Sequence, residues 1–115
     1  MTLKEIVEKF DLEVKAGAGA LDVEVTGGYA GDLLSDVLAN GEEGNIWVTL
    51  QVHQNIVAIA SIKELAGILL INNRQPVEDT ISKAEEENIP VVVTALPAFE
   101  IIGRLYKLGI RGINE

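Results

Sequence analysis

The sequence contains no cysteine, which removes disulfides, thiolate catalysis, zinc knuckles and iron–sulfur ligation in one step. Histidine occurs once, at His53, so no multi-histidine metal site can form. Aromatic residues make up 4% of the chain. Trp47 is expected in the core and Tyr29 at its rim, and neither suggests a base-stacking platform. Cations are scarce: 9 Lys and Arg face 18 Asp and Glu, for a net charge of −9. DNA and RNA binding rests on cations that neutralise phosphates, and docking on anionic lipid has the same need. Neither partner is expected. No apolar run approaches the ~18 residues of a membrane span. Met1 to Phe10 alternates charged and apolar side chains, unlike a signal peptide. These absences fit a cytoplasmic chain without metal or cofactor.

What remains is globular. The 115 residues, 48% hydrophobic and 23% charged, have the size of one domain, 1–115. A chain this long buries roughly two-thirds of the surface its unfolded form exposes, so it needs no staple.

Thr2-Leu3-Lys4-Glu5 is a capping box, and Leu3, Ile6, Val7 and Phe10 follow at helical spacing. A short strand is expected at Leu12–Val14, a small-residue loop at Ala16–Ala20, and an alternating strand at Asp22–Val25. Thr26-Gly27-Gly28 then leads to a helix at Asp32–Ala39, closed by Asn40-Gly41, which tolerate positive φ. From Ile46 the rhythm is strand, helix, strand, helix: Ile46–Leu50, Asn55–Leu65, Gly67–Ile71 and Pro76–Asn88. Val77, Ile81 and Ala84 form the inner stripe of the last of these. Ile89–Val93 is another apolar strand. A final helix begins near Pro97, buries Ala98, Ile101, Ile102 and Leu105, and ends at Gly109 with Ile110 folding back on Leu105.

The β-branched residues of Ile46–Ile62 leave a second reading open, a hairpin turning at His53-Gln54. The helix is preferred because parallel buried strands need a crossover of about ten residues or more. Strands without a polar face need cover on both sides. The expected fold is α/β: a three-layer α/β/α sandwich with a mostly parallel sheet and right-handed crossovers.

Ligands of such sheets bind beyond the strand carboxyl ends. Four exit loops are expected there, holding the candidate ligand residues Thr26, Gly27, Gly28, Asp32, His53, Asn72, Arg74 and Thr94. The glycine pair either turns backbone amides toward an anion or makes a tight strand-to-helix turn. No G-x-x-x-x-G-K-[ST] or G-x-G-x-x-G opens a helix. Arg74 either forks onto a carboxylate or phosphate or pairs with Asp79 or Asp32. Asp32 reads by default as a helix N-cap. Ser35 and Ser61, the nucleophiles available to His53, lie in no nucleophile elbow.

At Glu24-Val25-Thr26-Gly27-Gly28 the chain resembles DRTGG domains, with Glu24 and Val25 in place of the signature Asp and Arg. Asp32–Leu38, Trp47-Val48-Thr49 and His53–Val57 are similar to stand-alone members of that family. The resemblance implies an α/β/α fold like the amino-terminal domains of HPr kinase/phosphorylase and of the MurE/MurF ligases. It also implies a regulatory or dimer-forming role without an activity of its own. The kinase label carried by such chains is not expected to apply, since the phosphate-gripping loop and its lysine are missing. The reading is therefore a non-catalytic regulatory or interaction module, a homodimer that senses a nucleotide or other small anion. The alternatives are a protein-partner adaptor without a small ligand, and a small enzyme using His53 with Arg74 and an acidic residue.

Overall fold

The computed structural model describes residues 1–113. Helix α1 (Leu3–Phe10) starts on its capping box: the Glu5 amide donates to the Thr2 hydroxyl, and the Thr2 amide donates to the Glu5 carboxylate. That backbone amide holds Glu5 below its ordinary carboxylate pKa. Strand β1 (Glu13–Ala16) and a 3₁₀ turn at Ala18–Ala20 follow. The strand expected at Asp22–Val25 is absent; only a Thr2–Glu24 bridge forms there. The reason is the amino end of α1, whose Leu3 and Lys4 amides have no partner within the helix. They donate to Val23 and Leu21 carbonyls, and Val25 donates to Met1.

The next strand, β2, is Gly27–Ala30. The glycine pair expected in a loop is therefore extended strand, with neither residue at positive φ. Helix α2 (Leu34–Asn40) starts two residues later than expected, with Leu33 at its cap. Gly41 is extended at φ −66 rather than left-handed; a Cβ there would meet the Val37 carbonyl oxygen at 2.8 Å.

The alternation from Ile46 onward forms as expected, which removes the hairpin. Strand β3 (Asn45–Thr49), helix α3 (Asn55–Lys63), strand β4 (Gly67–Leu70), helix α4 (Glu78–Glu87), strand β5 (Val91–Val93) and helix α5 (Ala98–Lys107) complete the chain. In α4 the inner stripe differs from expectation: Val77 is exposed at the cap, and Thr80 is buried with Ala84. The Thr80 hydroxyl donates to the Val52 carbonyl, which makes its burial tolerable.

The sheet order is β1-β5-β4-β3-β2. Strands β2 to β5 are parallel, and β1 runs antiparallel along β5. Each parallel step moves the same way across the sheet, so right-handed crossovers put α2, α3 and α4 on one face. There Val37, Ile56, Val57, Ala60 and Ala84 pack on Trp47, Ile68, Leu70, Val91 and Val93. On the other face Leu3 and Ile6 of α1 and Ile101 and Leu105 of α5 cover Ile46, Val48, Leu69 and Val92. The fold is thus a three-layer α/β/α sandwich. Trp47 is fully buried and its indole N–H donates to the Gly31 carbonyl. Tyr29 sits at the rim, where Asp36 accepts its hydroxyl proton and holds the phenol above its ordinary pKa.

Four helices close in one way. Asp11, Glu64, Asn88 and Gly109 take positive φ. The next residue, Leu12, Leu65, Ile89 or Ile110, then donates back to Val7, Ala60, Ala84 or Leu105. Each of these returning residues is apolar and packs into a core cluster. At α5 this is the expected Gly109–Ile110 closure.

Candidate functional site

The carboxyl ends of the parallel strands gather the loops Gly31–Leu33, Leu50–Gln54, Ile71–Val77 and Thr94–Pro97. Asp32, His53, Asn72, Arg74 and Thr94 all lie on this edge. Thr26 and Gly27 do not: Gly27 pairs with Asn45, the first residue of β3, at the amino end of the sheet. Gly28 follows it in the strand. Four residues of strand separate the two ends by about 13 Å. The eight candidates therefore divide into a group of five and a group of three, and no common crevice holds all of them.

Thr26 and the glycines have structural partners. The Thr26 hydroxyl donates to the Glu43 carbonyl at 2.7 Å, and its amide donates to Gly44. The Gly28 amide faces the open edge of β2 and donates to the Arg111 carbonyl at 2.9 Å. A Cβ on Gly27 would approach that same oxygen to 2.6 Å. Gly27 has no room for a side chain because the segment after α5 lies against the strand, whereas a Cβ on Gly28 would make only ordinary contacts. With both glycines extended, their amides form no anion-binding concavity.

On the carboxyl edge Asp32 is a brace rather than a helix cap. One carboxylate oxygen accepts the Thr49 hydroxyl at 2.8 Å and the Leu50 amide at 2.7 Å. Gln51 donates its side-chain amide to the Asp32 carbonyl at 2.8 Å, and its own backbone amide to the Thr49 hydroxyl. Two adjacent exit loops are thereby tied together. Thr49 and Gln51 are not among the eight candidate residues; a Thr at a strand end two residues before Gln is too common a pattern to signal a role.

Strands β4 and β5 feed helices on opposite faces, which makes their carboxyl ends a topological switch point, the usual place for a ligand. Here the two loops bond across it. The Asn72 amide donates to the Leu96 carbonyl and the Asn73 amide to the Thr94 carbonyl. Both asparagines reach these positions at φ 55, a conformation Asn tolerates better than most residues. Thr94 is buried, and its hydroxyl accepts the Leu96 amide. Beside this seam a hollow of about 370 Å³ is lined by Asp11, Glu13, Asn73, Thr94 and Arg104 among others.

Arg74 pairs with neither Asp79 nor Asp32. Its Nε donates to the Leu50 carbonyl at 3.0 Å, and it forms no ion pair among the described residues. His53 is exposed in the turn before α3, where its carbonyl, not its ring, accepts the Ile56 amide. Ser35 and Ser61 lie on α2 and α3.

Exposed apolar side chains are spread over several elements, with Leu33 and Ile62 each 67% exposed. Phe99 of α5 is 92% exposed and Tyr106 52%. Between α5 and β2 lies a hollow of about 340 Å³, floored by Gly28, Ala30 and Val48 and walled by Ile102, Leu105 and Tyr106. It exists because β2 presents only glycine and alanine on that face, while Tyr29 points to the other. Among the described residues no helix is long and apolar enough to cross a membrane.

The sequence matches no family model and no curated protein. Among solved structures the fold is similar to the CBS and DRTGG domains of the regulatory region of a Clostridium perfringens pyrophosphatase, crystallised with its activator diadenosine tetraphosphate. The TM-score is 0.69 at 15% identity, over 97% of this chain. This chain spans 47% of that one, and at such identity the likeness is one of fold alone.

Proposed function

We propose that this chain is a DRTGG-like regulatory or interaction module, one domain that performs no chemistry of its own and works as a homodimer. The observation that carries this reading is how the carboxyl edge uses its polar groups. Asp32, Thr49, Gln51 and Thr94 are engaged in bonds that hold the loops. His53 is exposed, and no side-chain hydrogen bond joins it to a serine or a carboxylate among the described residues. A nucleophile–base–orienter arrangement has nothing to start from.

Arg74 supports a sensing role for the same edge. Its Nε is tethered to Leu50, which leaves the terminal nitrogens to fork onto a phosphate or carboxylate. The ligand class is a nucleotide or another small anion. The pyrophosphatase region of similar fold was crystallised with a dinucleoside polyphosphate activator, which puts adenine nucleotides first in the panel.

The test is thermal denaturation with adenine nucleotides, diadenosine tetraphosphate and inorganic phosphate, alongside light scattering. A ligand at about 100 times its Kd stabilises by about 2.7 kcal/mol. Stabilisation lost in Arg74→Ala supports the sensor. No stabilisation across the panel leaves the second reading, a protein-partner adaptor, which the exposed apolar face of α5 favours. Turnover lost specifically in His53→Ala would overturn both.

A further inference from the structure

Strand β2 turns Gly28 and Ala30 toward the face that α5 covers, beside Ile46 and Val48 of β3. Neither has a side chain longer than a methyl group, so nothing on the strand reaches the helix. The space this leaves is the hollow of about 340 Å³, closed on its other sides by Ile102, Leu105 and Ile110. Its size falls within the range of small-molecule sites, about 300–1,000 Å³. The apolar groups lining it forgo dispersion contacts that a close-packed interior would make.

The rim of this hollow is cationic. Arg111 lines it, with its guanidinium stacked 4.1 Å from the centroid of the Tyr106 ring. Stacking uses the flat face of the guanidinium and leaves the N–H groups at its edge to donate. The Arg111 backbone is held in place by the bond from the Gly28 amide to its carbonyl. Two further hollows share this rim; Arg111 lines both, and Lys107 lines one. Among the described residues no carboxylate lines any of the three. In a chain with 18 acidic residues and a net charge of −9, that sets this region apart. Hollows elsewhere hold Asp11 and Glu13, or Glu24, Glu43 and Glu64. Neither Lys107 nor Arg111 forms an ion pair among the described residues.

We infer that this hollow binds a small amphipathic carboxylate, its apolar body on Gly28, Ala30 and Val48 and its charged head on Arg111. A floor without polar side chains and a cation at the rim select an apolar molecule with one anionic end. Lys107 adds to the positive field beside the rim. An amphipathic cation of the same shape would meet like charge there. An extended peptide fits less well. It would add along the open edge of β2, where the Gly28 amide is already bonded to Arg111. The site is independent of the carboxyl edge: Asp32, His53, Asn72, Arg74 and Thr94 line none of the three hollows.

The experiment titrates the full chain with octanoate, octanol and octylammonium, which share one apolar body and differ in the head. Two-dimensional amide spectra report where and how tightly each binds. Octanoate should move the resonances of Gly28, Ala30, Ile102 and Ile110. It should bind about tenfold more tightly than octanol, the gain from one charge-assisted bond. Octylammonium should bind more weakly than octanol. Arg111→Ala should bring octanoate down to the affinity of octanol. Ala30→Leu, at an exposed strand position, should fill the floor and remove octanoate binding while the melting temperature holds. Equal affinity for the three probes, or shifts confined to other elements, would overturn the site. So would octanoate binding that Arg111→Ala leaves unchanged, or none up to about 5 mM, beyond the range of weak ligands.

Discussion

The carbonyl oxygen of Arg111 lies 2.6 Å from where a Cβ on Gly27 would sit, and the same carbonyl accepts the Gly28 amide at 2.9 Å. The glycine pair is thus a seat for the segment that follows α5. Gly27→Ala should push that segment off the strand and cost about 1–3 kcal/mol, the usual penalty for forcing atoms into a packed site. Gly28→Ala has only ordinary contacts of 3.6 Å to Ile110 and Ile46 side chains, and should cost less than about 0.5 kcal/mol. Urea denaturation of the two variants decides it. Equal costs would show that the segment does not set the requirement.

Asp32 braces two loops through one carboxylate oxygen. Asp32→Ala removes the charge-assisted bonds to the Thr49 hydroxyl and the Leu50 amide. The expected loss is about 2 kcal/mol, since such bonds are each worth about 1.5–3 kcal/mol and this site is open to water. A variant as stable as the wild type, but unable to bind nucleotide, would make Asp32 a ligand contact instead.

Trp47 is the only tryptophan and fully buried. Its emission should be blue-shifted in the native protein and move to the red in one step with denaturant. Trp47→Ala should cost about 3–5 kcal/mol through the cavity it leaves, in part because the Gly31 carbonyl loses its donor. Native emission at the wavelength of free indole would contradict the burial.

Tyr29 links stability to alkaline pH. Its phenol lies above the ordinary pKa because the neutral hydroxyl donates a hydrogen bond to Asp36. The folded chain then binds that proton more tightly than the unfolded chain. The contribution is complete below the unfolded value of about 10 and is lost as pH rises through the folded value. Ultraviolet titration should show one tyrosine ionising late, and Asp36→Asn should bring that step down. An ordinary titration of both tyrosines would remove the linkage.

How much of this was readable in the sequence depends on where each cause lies. The α1 capping box, the apolar runs of β4 and β5 and the Gly109–Ile110 closure are written within a few residues, and the structure has all of them. The layered sheet follows, because strands without a polar face admit little else. The glycine pair misled because the requirement for Gly27 comes from Arg111, far along the chain. Asp32 misled because a helix cap and a brace to the next strand compete for one carboxylate, and Thr49 with Leu50 won. Asn40-Gly41 matched a left-handed closure that formed instead at Asp11, Glu64 and Asn88. What decides those ends is the apolar residue that follows and must return to the core. Phe99 and Tyr106 stood in plain view, but the inner stripe of α5 already accounted for that helix.

The proposed reading is that this chain works through contact rather than chemistry, and the bonds along its carboxyl edge carry it. A titration with adenine nucleotide followed by two-dimensional amide spectra tests it most directly. The resonances that move with nucleotide concentration should be those of Asp32, His53, Asn72, Arg74 and Thr94, with Thr26 and Gly27 at the opposite end of the sheet silent. Movement confined to other elements, or spectra identical at every concentration, would contradict the account.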